Sequence, residues 1–277
     1  MQIFAGPADI SVLMKVESNV RGMGGKSSGP NGSGPNGGGG SKKGGKQGGS
    51  KYAPTTRNLA VRVKTAHKRS NSSTRWLQRQ LNDPYVAEAK KQGWRSRAAF
   101  KLLQLDEKFH FLKPGLRVVD LGAAPGGWTQ VAVQRVKPER GKGIVIGLDL
   151  LEMEPVTGAT VFVGDFTVAE DVQKLRDLLG GGQADIVMSD MAANTIGHTQ
   201  TDHLRIMGLA EMAADFACDV LAPGGVFICK LFQGGAEKTL LDVLRKNFAV
   251  VKHAKPLASR SDSAESYVVA TGFRGGK

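Results

Sequence analysis

Seven short apolar runs recur between residues 116 and 273: LRVVDLG (116–122), GIVIGLDL (143–150), ATVFVGD (159–165), ADIVMSD (184–190), GGVFICKLF (224–232), FAVVKHAKP (248–256) and ESYVVATGF (265–273). They are rich in β-branched residues and nearly continuous rather than alternating, the pattern of strands buried on both faces. Most are separated by helix-length segments. The clearest is HLRIMGLAEMAADFACDV, with apolar Leu204, Met207, Leu209 and Met212 and a Pro-Gly-Gly stop shortly after it. Such alternation predicts an open α/β sheet of mostly parallel strands covered by helices. No obvious helix lies between the last two runs, so they are expected to pair antiparallel at one side of the sheet. Upstream, YVAEAKKQGWRSRAAFKLLQLDEKFHFL reads as one or two helices interrupted near Gly93.

The chain before this region is of another kind. Residues 1–75 hold 13 lysines and arginines against 2 acidic residues, whereas residues 76–277 hold 25 against 23, so most of the net charge of +13 lies outside the strand-bearing part. The stretch RGMGGKSSGPNGSGPNGGGGSKKGGKQGGSK has too little apolar surface to offset the entropy of ordering a backbone. Residues 1–75 are therefore expected to form a disordered basic tail and residues 76–277 one domain, beginning where Trp76 and Leu77 supply the first dense apolar residues. A flexible basic arm of this kind suits non-specific phosphate contacts with RNA; a solubilising extension suits it equally. Two cysteines, Cys218 and Cys229, give no disulfide framework, and five histidines form no metal-ligand motif, so no metal is expected. No stretch of about 18 apolar residues exists, so no membrane span is expected, and the first residues lack the pattern of a secretory signal.

In open α/β sheets ligands bind outside the carboxyl ends of the strands. The first run ends in DLGAAPGGW, where Gly122, Pro125, Gly126 and Gly127 leave the backbone bare ahead of Trp128 and the helix-like TQVAVQRV. Gly127 is not followed by lysine and Ser/Thr, which disfavours a P-loop, and the spacing is not G-x-G-x-x-G, which removes the support for a dinucleotide. A backbone open to close approach, without a cation to clamp phosphate, suits S-adenosylmethionine. Asp149, at the end of the second run, stands at the interval where an acidic residue grips ribose hydroxyls, and Asp165, at the end of the third, suits the adenine amino group. Asp190 and Lys230 each follow a strongly apolar run, where a charge is costly unless it is paired or faces a cleft, and Glu265 opens the last run.

In order along residues 76–274, SRAAFKL, VVDLGAAPGGW, LDLLEMEPV, GDF, VMSDMAAN, LAPGGVFICKLFQG and SRSDSAESYVVATG resemble the motifs of the FtsJ/RlmE family of ribosomal RNA 2′-O-methyltransferases. The resemblance implies a Rossmann-like fold with a mostly parallel seven-stranded sheet and an antiparallel last strand. It implies S-adenosylmethionine as cofactor, with Gly122, Pro125, Gly126, Gly127, Trp128, Asp149, Asp165 and Asp190 at its site. The family's Lys-Asp-Lys-Glu catalytic set falls on Lys101, Asp190, Lys230 and Glu265. One position departs from the pattern: Ala193 stands where the family often has proline, which bears on loop rigidity and removes no catalytic group.

The reaction so implied transfers the sulfonium methyl to a ribose 2′-hydroxyl, a uridine of 23S rRNA in the assembled 50S subunit being the expected target. In that reading Lys230 takes or orients the hydroxyl proton, while Lys101 and Asp190 position the lysine. Lys90, Lys91, Arg95, Arg97 and Lys101, with Trp94 among them, suit RNA phosphate contacts and stacking. A monomeric cytoplasmic enzyme follows from the resemblance. Transfer RNA as the substrate, and a non-enzymatic assembly factor that keeps the fold, are the alternatives.

Overall fold

Adjacent residues of the central strands face opposite layers of core. Val118, Val145, Ile186, Ile228 and Val269 pack into one cluster, and their neighbours Val119, Ile146, Val187, Phe227 and Ala270 pack into another. Side chains of a strand alternate between faces, so a continuous apolar run feeds both layers at once. The computed structural model describes residues 50–54, 61–68, 70–141, 143–192, 199–232 and 237–275, without the side chains of residues 199, 200 and 202. The chain divides into two units, Met1–Gln47 and Gly48–Lys277. Most of the basic tail, residue 193 and the loop after Phe232 lie outside the described residues, and every strand and helix named below belongs to the second unit.

All seven expected strands are present: β1 (Arg117–Leu121), β2 (Ile144–Asp149), β3 (Thr160–Val163), β4 (Ala184–Ser189), β5 (Leu221–Phe232), β6 (Phe248–Ala254) and β7 (Glu265–Phe273). They form one sheet in the order β3-β2-β1-β4-β5-β7-β6. The pairs from β3 through β5 are parallel, and β7 is antiparallel to both β5 and β6. The strand order reverses between β1 and β4, which places a topological switch point above those two strand ends.

Seven α-helices accompany them among the described residues: α1 (Asn71–Leu81), α2 (Pro84–Gln92), α3 (Ala98–Phe109), α4 (Gly127–Val136), α5 (Ala169–Leu178), α6 (Thr199–Val220) and α7 (Lys238–Asn247). The core of α3 and α4, with Phe100, Leu102, Leu103, Val131 and Ala132, lies on one face of the sheet. That of α5, α6 and α7, with Leu175, Ala213, Ala217, Leu240 and Leu244, lies on the other. No described helix is long and apolar enough to cross a membrane.

The segment around Gly93 folds as its sequence suggests. Asp83 caps α2 by accepting from the Tyr85 amide at 3.0 Å, Pro84 occupies the first helical turn, and Gly93 ends the helix at φ +76°. α3 then starts afresh at Ala98. Upstream, α1 begins at Asn71 behind a Ser70 cap and buries none of its residues; Trp76 is 40% exposed. Residues 50–54 belong to this unit and are tied to it: Ser50 donates to Glu107, and the Tyr52 hydroxyl accepts from Arg135.

Candidate active site

The Gly-rich loop leaves β1 at Gly122 with φ +79°, and a Cβ there would stand 2.8 Å from the Met191 backbone nitrogen. Only glycine fits such an approach in the left-handed region. The amides of Gly122 and Ala123 donate to the Leu148 carbonyl at 2.9 and 3.1 Å, which ties the loop to the end of β2. Asp149 holds it further, its Oδ2 accepting from the Ala124 amide at 2.9 Å and its Oδ1 from the Leu151 amide at 2.8 Å. The Ala124–Pro125 peptide is cis, and Gly126, at φ +106°, starts α4.

Above these strand ends lies a cavity lined by Gly122, Asp149, Leu150, Asp165, Phe166 and Met191, among others. The two aspartates predicted from strand ends thus meet the loop glycine in one place. Hydrogen bonds from the Thr167 hydroxyl and amide hold the Asp165 carboxyl below the usual carboxylate range. Leu150 is 65% exposed beside Asp149, a large apolar side chain open to a flat ligand. Leu150, Phe166 and Met191 were not among the sequence-predicted residues, since apolar side chains at strand ends carry no distinguishing signal.

The remaining loop residues act differently. Pro125, Gly126 and Gly127 shape the loop without lining this cavity. A Cβ on Gly127 would meet the Ser96 hydroxyl, so the start of α4 packs directly on the segment before α3. The Trp128 side chain is buried, its indole N–H donating to the Ala98 carbonyl at 2.9 Å and its ring 5.7 Å from that of Tyr267. The indole is therefore part of the core and not of the cavity lining.

Beneath the loop, Asp120 is fully buried. Its Oδ2 accepts from the Thr129 hydroxyl at 2.7 Å, and its Oδ1 has no protein partner. Burial, opposed by Thr129 and aided by the charges of Asp190 and Asp149, pushes its carboxyl up to about 7. The folded state therefore keeps a proton that the unfolded chain has lost, and stability falls as pH rises from the unfolded carboxylate range through about 7. Asp120→Asn removes that slope. Thermal midpoints of the two proteins should diverge progressively between pH 5 and pH 8, the wild type losing more; parallel curves would refute a buried protonated Asp120.

The four predicted catalytic side chains come together as two ion pairs. Lys101 on α3 lies 2.7 Å from Glu265 Oε2 and Lys230 on β5 lies 3.0 Å from Asp190 Oδ1, with every partner less than one-fifth exposed. Lys230 also donates to the Asp190 backbone carbonyl, and Ser259 donates to Glu265 Oε1 at 2.7 Å. Burial alone would raise the Asp190 carboxyl, but Lys230, Lys101 and a bond from Tyr267 together hold it below its ordinary range.

Tyr267 joins the pairs and was not predicted. It faces Lys230 across the β5–β7 register, donates to Asp190 Oδ1 at 2.9 Å, and holds the Lys101 ammonium 5.8 Å from its ring centre. Burial and the nearby carboxylates push its hydroxyl well above the usual tyrosine range, so it stays a donor. A signal existed: Tyr267 lies two residues after Glu265, on the same face of one strand.

Within the basic run before α3 the two arginines make contacts inside the protein, while Lys90 and Lys91 are exposed at the end of α2. The Arg95 guanidinium binds the carbonyls of Pro125, Glu154 and Pro155, fastening the loop to the segment after β2. Arg97 pairs with Asp83 and donates to the Ala258 carbonyl. The Trp94 indole N–H donates to Gln92 at 3.0 Å.

Comparison with known proteins gives a consistent picture. Residues 94–273 match the profile of the FtsJ-like methyltransferases. The chain is 66% identical over 223 residues to the ribosomal RNA large subunit methyltransferase E of Paramagnetospirillum magneticum, covering 79% of this chain and 91% of that one. It is 60% identical over 223 residues to the protein of the same name from Azorhizobium caulinodans, covering 80% and 92%. Among solved structures, a ribosomal RNA methyltransferase from Plasmodium falciparum superimposes with a TM-score of 0.59 at 31% identity, over 66% of this chain and all of that one.

Proposed function

The chain belongs to the FtsJ-like methyltransferase family, and from that premise we propose that it methylates a ribose 2′-hydroxyl of large-subunit ribosomal RNA, with S-adenosylmethionine as methyl donor. The target is a uridine of 23S rRNA in the assembled 50S subunit, and the enzyme works in the cytoplasm. The observation that carries this reading is the pair of buried ion pairs, Lys101 with Glu265 and Lys230 with Asp190, set at the strand ends beside the Gly122 cavity.

The residues present fit the cofactor. A Cβ on Gly122 would close the approach to Met191, and two carboxylates face an apolar-lined cavity with no cation for a phosphate among its described lining residues. Asp149 would take ribose hydroxyls and Asp165 the adenine amino group, with Leu150 and Phe166 against the ring. Bound there, S-adenosylmethionine supplies an electrophilic methyl group on its sulfonium.

The protein's own part is to hold the nucleophile. Two of the three donors of the Lys230 ammonium are engaged by Asp190, through its carboxylate and its backbone carbonyl. The third has no partner among the described residues and would be directed at the 2′-oxygen, fixing the direction of its lone pairs. Lys101, Glu265 and Tyr267 keep Lys230 and Asp190 in place. In that arrangement the 2′-oxygen would displace the methyl group in line from the sulfonium sulfur, which would leave neutral with the electron pair of the broken carbon–sulfur bond, and the hydroxyl proton would pass to Lys230 or to water. Such positioning can lower a barrier by on the order of 7–11 kcal/mol.

The test is methyl transfer from radiolabelled S-adenosylmethionine to purified large subunits, free ribosomal RNA and transfer RNA in parallel, with mapping of the modified nucleotide. Label on a ribose of the large subunit supports the reading. Label on transfer RNA alone keeps the chemistry and replaces the substrate, whereas cofactor binding without label on any RNA points to the assembly-factor alternative.

A further inference from the structure

A second cavity, of about 330 Å³, opens beside the Lys101–Glu265 pair and is lined also by Arg79, Gln80, Arg97, Arg260 and Asp262. The methyl-transfer chemistry uses none of these five. Around the cavity four cations, Arg79, Arg97, Lys101 and Arg260, face three carboxylates, Asp83, Asp262 and Glu265. Glu265 is taken by Lys101, and the buried Asp83 is shared between Arg97 and, at 3.4 Å, Arg260. One carboxylate cannot neutralise two guanidiniums. Arg79, exposed on the last turn of α1, makes no ion pair among the described residues, and Arg97 Nε is buried without a partner. These groups leave a net positive charge, and the Lys255 ammonium, donating to the Ser261 and Ser263 carbonyls at the cavity, adds to it, so an anion such as a phosphodiester is favoured here.

The surroundings favour RNA over other anions. Trp76 lies three and four residues before Arg79 and Gln80, hence on the same face of α1, and is 40% exposed although it could bury a large apolar area. An exposed indole beside guanidiniums is the pairing that stacks on bases while it neutralises phosphates. No other role for it is evident, because α1 buries none of its residues.

We propose that this cavity seats a phosphodiester of the RNA strand flanking the reacting ribose, held by Arg79 and Arg260, with Trp76 stacked on a neighbouring base. The inference rests on the proposed ribose methylation and adds the place where the strand is gripped. It locates the grip on α1 and on the segment between β6 and β7, next to Arg97 and Lys101. Lys101 links the two sites, since it lines this cavity and pairs with Glu265 in the catalytic group.

The experiment measures steady-state methylation of large subunits and equilibrium binding to free ribosomal RNA, each over a range of salt concentrations, for wild type, Arg79→Gln, Arg260→Gln and Trp76→Ala. Arg79→Gln should raise the KM for RNA about tenfold and lower the slope of log affinity against log salt by about one, as expected for one lost phosphate contact. Its affinity for S-adenosylmethionine should be unchanged. Trp76→Ala should raise the KM with little change in that slope. Arg260 also touches Asp83, so Arg260→Gln is interpreted only alongside its thermal midpoint, and Arg79→Gln is the deciding variant. An unchanged KM and salt slope in Arg79→Gln overturn the proposal. A raised KM on subunits with unaltered binding to free RNA also overturns it, and assigns the surface to a ribosomal protein. Failure of the wild type to methylate any RNA would instead sink the proposed function, and this inference with it.

Discussion

Lys230→Met should lower kcat by about 10³-fold or more while the dissociation constant for S-adenosylmethionine changes less than threefold. Methionine keeps the length and apolar stem of the side chain, so the packing around a residue only 7% exposed is preserved. What is lost is the ammonium. Asp190 retains the bond from Tyr267 and the charge of Lys101, so the strand end should hold its form. Single-turnover kinetics with saturating cofactor and isothermal titration separate the two effects. A variant that fails to bind the cofactor would show that Lys230 builds the cofactor site and would remove it from the transfer step.

Asp190→Asn should destabilise the fold by about 3–5 kcal/mol, because it leaves the Lys230 ammonium buried beside a neutral partner. It should also abolish turnover, since the amide no longer fixes the direction of the remaining Lys230 donor. Pairing it with Lys230→Met separates these losses. An apolar side chain opposite the amide removes the uncompensated charge, so the double variant should regain most of the stability and none of the activity. Chemical denaturation of the three proteins decides this. Equal stability of wild type and Asp190→Asn would mean that solvent already compensates the charge. The low-lying Asp190 carboxyl adds a pH dependence of opposite sign to that of Asp120: its contribution is present above the ordinary carboxylate range and is lost as pH falls through its depressed folded value.

Both variants probe a cluster whose members were legible in different degrees. Asp190, Lys230 and Glu265 stood out because charges bordering apolar runs must be paired or face a cleft. Lys101 did not, because it lies on a helix surface by sequence and nothing in α3 states which strand end that helix crosses. Tyr267 was hidden inside an apolar run, where an aromatic residue reads as core. The internal partners of the arginines were not legible: Arg95 and Arg97 look like surface charge in sequence, yet their guanidiniums meet backbone carbonyls and Asp83. A guanidinium with five donors satisfies carbonyls as readily as phosphates, and the chain order does not say which is near.

The sequence by itself determined the seven strands, the two-faced burial of the five inner ones though not of the half-exposed edge strands β3 and β6, the helix break at Gly93, the mostly parallel pairing with its antiparallel close, and the loop that only glycine can form. These are local consequences of periodicity, turn chemistry and side-chain volume, and neighbouring residues suffice to specify them. Only the tertiary structure decided that Lys101 reaches Glu265 across 164 positions, that Tyr267 joins the two ion pairs, that burial pushes the Asp120 carboxyl up, and that Arg79 and Arg260 border one cavity. Each of those depends on desolvation or on contact between segments far apart in the chain. A charge has no environment until the fold gives it one.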